Sequence, residues 1–205
     1  NDNEEGWVSA SFTFGYNRLN DFNQSRIIEG VNDKNSVTDY FAALSYGLSY
    51  DEITSDDYGF IQRPAWDSYL IDVKPGVTGD QYQSAFAGTY GQTQTKTIKT
   101  KGGMGEYVIG FGGNYSNRVY LGGVIGIQNV KYTENAEILE TDPDDVIASF
   151  EKLRYTQNLK TNGSGFNFKF GTIVRVNDWV RFGAAIHTPT FLNLHDEYSS
   201  SMQSS

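Results

Sequence analysis

The sequence predicts an all-β protein, and more specifically an antiparallel transmembrane β-barrel of which this chain forms a part. Three observations support this prediction. Apolar and polar residues alternate with a period of two over several segments, as in strands that have two different faces. These segments are about 10 to 13 residues long, the length that a tilted membrane-spanning strand requires. Some segments are joined by tight turns and others by long connections, an asymmetry that is typical of outer-membrane barrels.

The first segment shows the alternation most clearly. One of its faces is apolar and consists of Val8, Ala10, Phe12, Phe14 and Tyr16. The other face carries the small or polar residues Ser9, Ser11, Thr13 and Gly15. Similar patterns predict a single partial-barrel domain over 1–205, with strands at about 6–17, 92–116, 118–133, 151–176 and 178–195 and extracellular loops at about 18–91 and 134–150.

The connections differ in length and content. Ser116-Asn117-Arg118 and Val176-Asn177-Asp178 predict tight turns, whereas the two long connections contain helix signals. Ser36 and Asp39 are spaced as in a capping box, which predicts a helix continuing to Leu44. A second helix is predicted over 64–71 with Pro64 in its first turn. The acidic stretch 142–145 predicts the start of a third helix over 146–150.

A soluble β-sandwich also alternates apolar and polar faces, so alternation alone does not decide between the two classes. Sandwich strands average about 5 or 6 residues, which is shorter than these segments. Tyr115 and Trp179 lie beside the short turns, where a barrel carries its interfacial aromatic girdle. Strand length, turn asymmetry and these aromatics together favour the barrel.

Composition excludes several classes of protein. With 16 Lys and Arg against 25 Asp and Glu, the formal charge is −9, which argues against nucleic acid as a partner. The sequence has no cysteine, so disulfide scaffolds and thiolate metal sites are excluded. No uncharged apolar run reaches about 18 residues, a criterion that tests for transmembrane helices and not for transmembrane strands.

The predicted strands are too few to close a barrel. The smallest bacterial barrels have about eight strands, and each open edge in lipid leaves unpaired backbone groups that cost several kcal/mol apiece. We therefore expect the chain to be a piece of a longer protein whose remaining strands close the sheet.

The stretch Gly163-Ser164-Gly165-Phe166-Asn167-Phe168-Lys169-Phe170-Gly171, together with Val180 to Thr190, resembles the FadL/TodX family of outer-membrane transport proteins. Residues 7–19, 39–44 and 64–66 look like versions from Bacteroidetes-type bacteria. The resemblance implies a 14-stranded barrel in the bacterial outer membrane, with an N-terminal hatch and loops that capture hydrophobic ligands. The hatch and the C-terminal strands of the family have no counterpart in this chain.

Catalytic, metal and cofactor sites are not expected. The two histidines, His187 and His195, match no catalytic motif, so we predict no enzyme and no catalytic residue. Asp142, Asp144 and Asp145 lack the spacing of a calcium loop, and a helix N-terminus explains them better. We expect neither a metal nor a cofactor.

Five charged or titratable residues fall on the predicted inner face: Glu106, Lys169, Arg175, Arg181 and His187. A large barrel has a polar interior, so one interpretation is structural lining with internal ion pairs. The other is that Lys169, Arg181 and His187 hold a hatch or attract a carboxylate headgroup.

Five apolar residues of the two loop helices are the predicted ligand-binding residues: Phe41, Leu44, Trp66, Tyr69 and Leu70. They either line an apolar groove or pack the two helices against each other. With the resemblance, the sequence predicts uptake of long-chain fatty acids or other hydrophobic compounds across the outer membrane, whose lipid is the other partner. The alternatives are a non-transport barrel that binds protein through its long loops and a soluble surface-binding sandwich. The oligomeric state is left open.

Overall fold

A computed structural model describes residues 5–77, 80–148 and 150–205. It is mostly antiparallel β-sheet, with 62% strand and 11% helix, so the all-β prediction is confirmed. In chain order the elements are β1 Trp7–Asp21, β2 Gln24–Asn32, α1 Val37–Leu44, α2 Tyr50–Ile53, a 3-10 helix Asp56–Tyr58, α3 Gln62–Asp67, β3 Ile71–Val73, β4 Tyr82–Ser84, β5 Gln92–Tyr115, β6 Val119–Thr141, β7 Lys152–Arg175, β8 Arg181–His187 and β9 Phe191–Ser204. Within these described ranges, none of the helices has both the length and the apolar character needed to cross a membrane.

One large sheet contains seven of the strands in the order β1-β5-β6-β7-β8. The strand β2 also pairs with β5, and β9 also pairs with β7, so two consecutive strands share each outer position. In the antiparallel ladder of β1 and β5, Phe12 lies opposite Phe111. The two short strands β3 and β4 form a separate sheet.

Three boundaries differ from the sequence prediction. The predicted loop 18–91 contains the end of β1 and all of β2, and the predicted loop 134–150 contains the end of β6, which continues to Thr141. The predicted strand 178–195 is two strands, β8 and β9, separated at Thr188-Pro189-Thr190. Proline has no N–H to donate to the ladder, which accounts for the interruption at Pro189.

The connection between β5 and β6 is a tight hairpin turn. Ser116 and Asn117 have φ of 52° and 55°, and the Arg118 amide donates to the Tyr115 carbonyl at 3.0 Å. Two consecutive residues with positive φ define the type I′ turn, whose twist matches that of the strands it joins. The turn therefore lies at the predicted position.

The helix predictions have mixed outcomes. Ser36 and Asp39 form the expected capping box, and α1 ends at Leu44. The second helix, α3, begins two residues before Pro64 and ends at Asp67. The prediction of a third helix over 146–150 is wrong for the described residues there, and Ser149 lies outside them. The described residues there form a bend and a turn, and Asp145, which precedes them, has a left-handed φ of 53°.

The chain divides into two compact units. Unit 1 comprises 1–23, 101–132 and 160–196, and unit 2 comprises 24–100, 133–159 and 197–205. Unit 2 has a hydrophobic core that combines residues of its helices, short strands and loops: Phe41, Ala42, Ile53, Ala65, Leu70, Ile71, Phe86, Ile147, Phe150, Leu153 and Tyr155.

Candidate functional site

The polar face of unit 1 carries the five predicted inner-face residues. Strand register places Lys169 opposite His187 and Arg175 opposite Arg181, so these four side chains project from the same face of the β7–β8 ladder. Glu106 of β5 joins this face, because its carboxylate contacts Lys169.

Glu106 is the centre of a buried hydrogen-bond network. Its carboxylate is 3% exposed. Glu106 Oε1 accepts from Gln128 Nε2 at 2.6 Å and from Asn167 Nδ2 at 3.1 Å. Lys169 Nζ lies 3.3 Å from the same oxygen and 3.4 Å from Glu106 Oε2. Charge-assisted bonds of this kind hold a buried carboxylate in place, because removal from water is otherwise costly.

A glycine of the middle strand makes room for the network. Gly126 belongs to β6, between β5 and β7, and a Cβ at this position would overlap Glu106 Oε1 and lie 2.7 Å from Asn167 Oδ1. The absence of a side chain lets Glu106, Asn167 and Lys169 meet above the β6 backbone. The role of Gly126 depends on the register of three strands, which its sequence neighbours do not reveal.

Two buried acceptors of this network have no hydrogen-bond partner in the structure. They are Gln128 Oε1 and Asn167 Oδ1, on side chains that are 1% and 6% exposed. The Asn167 oxygen faces the space above Gly126. Gln128 and Asn167 are not among the predicted site residues, and the available signal for them is their alternation with apolar neighbours.

The remaining predicted inner-face residues have simpler surroundings. Arg175 forms an ion pair with Asp178 of the β7–β8 turn. Arg181 and His187 are exposed on the outer strand β8. Lys169 is thus engaged by Glu106 within this chain, as the structural-lining interpretation expects.

The opposite face of unit 1 is apolar and exposed. Phe12 and Phe111 are 63% and 62% exposed, although their ring centroids are only 5.2 Å apart. Phe168 and Phe182 are 46% and 66% exposed. These side chains therefore cover the surface of the sheet and do not enter a shared core. Other large apolar residues are exposed on the same unit, namely Phe14, Tyr107, Leu121, Ile125, Ile127, Phe166, Phe170 and Ile186.

Two of the five predicted ligand-binding residues are buried in unit 2. Phe41 is 0% exposed and Leu70 is 2% exposed, both within the hydrophobic core. A groove open to solvent cannot include them, so for this pair the packing interpretation holds. Leu44 is at the surface, Trp66 is half-buried, and Tyr69 is 88% exposed.

Trp66 and Tyr69 line a cavity of about 600 Å³ in unit 2. We call it the aromatic–acidic pocket, and its lining residues are Tyr50, Trp66, Asp67, Tyr69, Ile71, Asp72, Gln83 and Ala85. The indole of Trp66 packs edge to face with Tyr50, with ring centroids 6.1 Å apart. The volume of the aromatic–acidic pocket lies in the range of small-molecule sites, about 300–1,000 Å³.

The backbone at Tyr69 has an unusual conformation for this residue type. Tyr69 has a φ of 57°. It follows α3 in a Schellman motif, in which the Leu70 amide donates to the Ala65 carbonyl at 2.9 Å and the Tyr69 amide to the Trp66 carbonyl at 3.0 Å. Glycine is the usual residue there, and any other costs roughly 1–2 kcal/mol. Because this position holds no glycine, sequence patterns do not indicate the turn.

A second cavity of unit 2, of about 500 Å³, includes the buried carboxylate of Glu140 in its lining. Glu140 accepts from the Val37 amide at 2.8 Å, from Gln94 Nε2 at 2.6 Å and from Ser36 Oγ at 2.5 Å. Burial raises the pKa of Glu140, although these three hydrogen bonds act in the opposite direction. The carboxylate thereby links β6 to the N-terminus of α1.

Among residues 5–77, 80–148 and 150–205, no group of three His, Cys, Asp or Glu side chains is arranged to hold a metal ion. Comparisons with protein-family models, with curated proteins and with solved structures found no match for this chain.

Proposed function

We propose that the chain is part of an outer-membrane β-barrel that takes up long-chain fatty acids or other hydrophobic compounds. Unit 1 forms part of the barrel wall in this proposal, and unit 2 supplies extracellular loops. The observation that carries it is the division of the unit 1 sheet into an exposed apolar face and a face with a buried Glu106–Lys169 pair.

The two faces suit different solvents. Phenylalanine side chains that are half or more exposed, such as Phe12 and Phe111, would stand in water in a soluble protein. A contiguous apolar surface of this kind marks contact with lipid or with another protein. Charged residues inside a membrane protein face its interior, where they are paired. Hydrocarbon on one side and a wet lumen on the other therefore account for both faces.

Strand dimensions fit the same arrangement. The strands β5, β6 and β7 have 24, 23 and 24 residues. A tilted membrane-spanning strand needs about 9–11 residues, so each of the three is long enough to cross the bilayer and continue into a loop. Thr-rich sequence at 92–100 belongs to unit 2, as expected for strand residues in water.

The two outer positions of the sheet determine what else the proposal requires. These positions are occupied by β1 with β2 and by β8 with β9. In hydrocarbon, unpaired backbone groups on such edges cost several kcal/mol each. The proposal therefore includes further strands that pair with both edges, as in the 14-stranded barrels that the 163–190 stretch resembles.

Transport is tested on the full-length protein in cells with and without it, using a fluorescent long-chain fatty acid and a neutral hydrophobic dye. We expect the protein in the outer-membrane fraction and faster uptake of at least one compound. Recovery in the soluble fraction without detergent would contradict any membrane barrel.

Exposed aromatic residues of unit 2 favour the second candidate, a barrel that binds protein through its loops. Tyr40, Tyr46, Tyr50 and Phe60 are 54%, 67%, 64% and 52% exposed, and aromatic side chains are enriched at protein interfaces. For this candidate we expect the protein in the outer membrane, and equal uptake of the fatty acid and the dye by cells with and without the protein.

A further inference from the structure

We propose that the aromatic–acidic pocket of unit 2 binds amphipathic organic cations such as alkylammonium compounds. The inference rests on the proposed function, since it names the charge class of compound that the loops select. It commits the pocket to a cation with a short apolar chain, in preference to a fatty-acid anion.

The aromatic walls are the first reason. Two lining residues, Tyr50 and Trp66, meet edge to face with ring centroids 6.1 Å apart. A quaternary ammonium group is attracted to the faces of such rings when it lies within about 6 Å of a ring centroid. Ile71 and Ala85 add aliphatic lining for an attached chain.

The charges are the second reason. The pocket is lined by two carboxylates, Asp67 and Asp72, and by no Lys, Arg or His. Arg63 is the ion-pair partner of Asp67, with Arg63 Nε 3.6 Å from Asp67 Oδ2, but Arg63 also pairs with Asp56. The lining therefore favours a positive headgroup and repels a carboxylate.

The rest of unit 2 is negatively charged, like the pocket itself. Unit 2 contains eight Lys and Arg against 18 Asp and Glu, a formal charge of −10, whereas unit 1 contains eight against seven. A negative field of this kind raises the local concentration of cations and lowers that of anions. A loop module selecting fatty-acid anions would be expected to carry the opposite charge.

The backbone at Tyr69 is the third reason. This residue occupies a left-handed position that favours glycine, and its ring projects into solvent at the pocket. The Schellman motif requires a left-handed residue at this position but not a tyrosine, and strained non-glycine residues of this kind cluster at binding sites. We assign Tyr69 as a third aromatic wall.

The test uses the full-length protein in a neutral detergent. Trp7, Trp179 and every tryptophan outside residues 1–205 are replaced by Phe, so that Trp66 is the fluorescent reporter. Hexyltrimethylammonium and hexanoate are titrated while Trp66 fluorescence is recorded. We expect saturable binding of the cation, and affinity for hexanoate about tenfold weaker or less.

Variants show whether the effect belongs to the pocket. The double variant Asp67→Asn, Asp72→Asn should weaken cation binding about tenfold. The control Asp51→Asn, Asp57→Asn removes the same charge from unit 2 outside the pocket and should change affinity less than twofold, a small screened effect. Tyr69→Gly should weaken binding, and Tyr69→Phe should preserve it.

Equal affinity for cation and anion, or equal effects of the two double variants, would overturn the inference. Its failure is distinguishable from that of the proposed function. Specific cation binding without any uptake in cells leaves the pocket assignment standing and removes transport. Uptake of neutral or acidic compounds without cation binding supports transport and removes the pocket assignment.

Discussion

Lys169 and Glu106 form an ion pair that passes over the strand between them at a glycine. Lys169 is on β7 and Glu106 is on β5, with β6 between them, and Lys169 Nζ lies 3.3 Å from Glu106 Oε1. The two side chains cross above Gly126. Next-nearest strands are about 9–10 Å apart, so the contact requires an unobstructed path over the middle strand.

Gly126→Ala should destabilise the protein by about 1–3 kcal/mol, because the new methyl group forces Glu106 or Asn167 to move. Urea unfolding in detergent measures the change. Gly122→Ala is the matched control on the same strand and face, where the nearest atom to a Cβ is the Phe111 carbonyl oxygen at 3.7 Å. Equal stability of the two variants would show that the space above Gly126 is not needed.

Replacing either partner of the ion pair should cost stability in a coupled manner. Glu106→Gln leaves the Lys169 ammonium, whose side chain is 33% exposed, without its carboxylate and should cost about 1–3 kcal/mol. A double-mutant cycle with Lys169→Met should give a coupling energy of about 0.5–3 kcal/mol. Lys160→Met, at an exposed position of the same strand, should show no coupling to Glu106→Gln. Additive effects of Glu106→Gln and Lys169→Met would mean that the pair does not interact.

The two faces of β7 should respond differently to a new charge. Phe168 and Ile173 are 46% and 47% exposed but lie on opposite faces of the strand. If the phenylalanine face contacts lipid, Phe168→Lys should reduce folding stability in bilayers by about 2–4 kcal/mol, whereas Ile173→Lys should be tolerated. Refolding yield into lipid vesicles measures both. A larger loss for Ile173→Lys would reverse the assignment of the two faces.

Tyr69→Gly should increase the stability of unit 2 by about 1 kcal/mol, because glycine adopts the left-handed conformation of the Schellman motif without strain. Tyr69→Ala removes the ring but retains a Cβ, so it separates loss of strain from loss of the side chain. Thermal unfolding followed by Trp66 fluorescence, in the background in which the other tryptophans are replaced by Phe, measures both variants. Stabilisation by alanine equal to that by glycine would indicate that the ring, and not the backbone, is unfavourable.

The stability of unit 2 should fall as pH rises above the ordinary Glu140 pKa of 4.5. Burial raises this pKa in the folded state, so the folded protein retains the proton to a higher pH than the unfolded chain. The contribution is fully present below 4.5 and is lost as pH rises through the folded-state pKa. Urea unfolding between acidic and neutral pH should show this decline in the parent protein and in Glu137→Gln, but not in Glu140→Gln.

The sequence predicted the elements whose signals are local. Alternation over 104–115, together with the Thr-rich stretch before it, located β5 to within a residue, at Gln92–Tyr115 against 92–116. The Ser36–Asp39 capping box located α1. It missed β2 because Ile27 and Ile28 are adjacent and do not alternate, and because this strand pairs with the Thr-rich start of β5. Its prediction of a helix start at 142–145 was wrong, because the described residues of 146–150 form a bend and a turn instead.

The candidate sites were less predictable because they depend on contacts between distant segments. Trp66 and Tyr69 were identified from their apolar character in a polar loop, but the same reasoning also selected Phe41 and Leu70, which are core residues. Apolar character does not distinguish a residue that packs inside from one that faces a cavity. The alignment of Glu106, Gln128 and Asn167 required the register of three strands, which no local pattern contains.

The glycine beneath the Glu106–Lys169 pair has a consequence for related sequences. An alanine or serine at the position of Gly126 would block the contact between Glu106 and Lys169. A related protein with such a residue would be more stable if Glu106 or Lys169 were also replaced. The three positions should consequently vary together across species, and a set of aligned relatives would record that constraint as joint change at columns 106, 126 and 169.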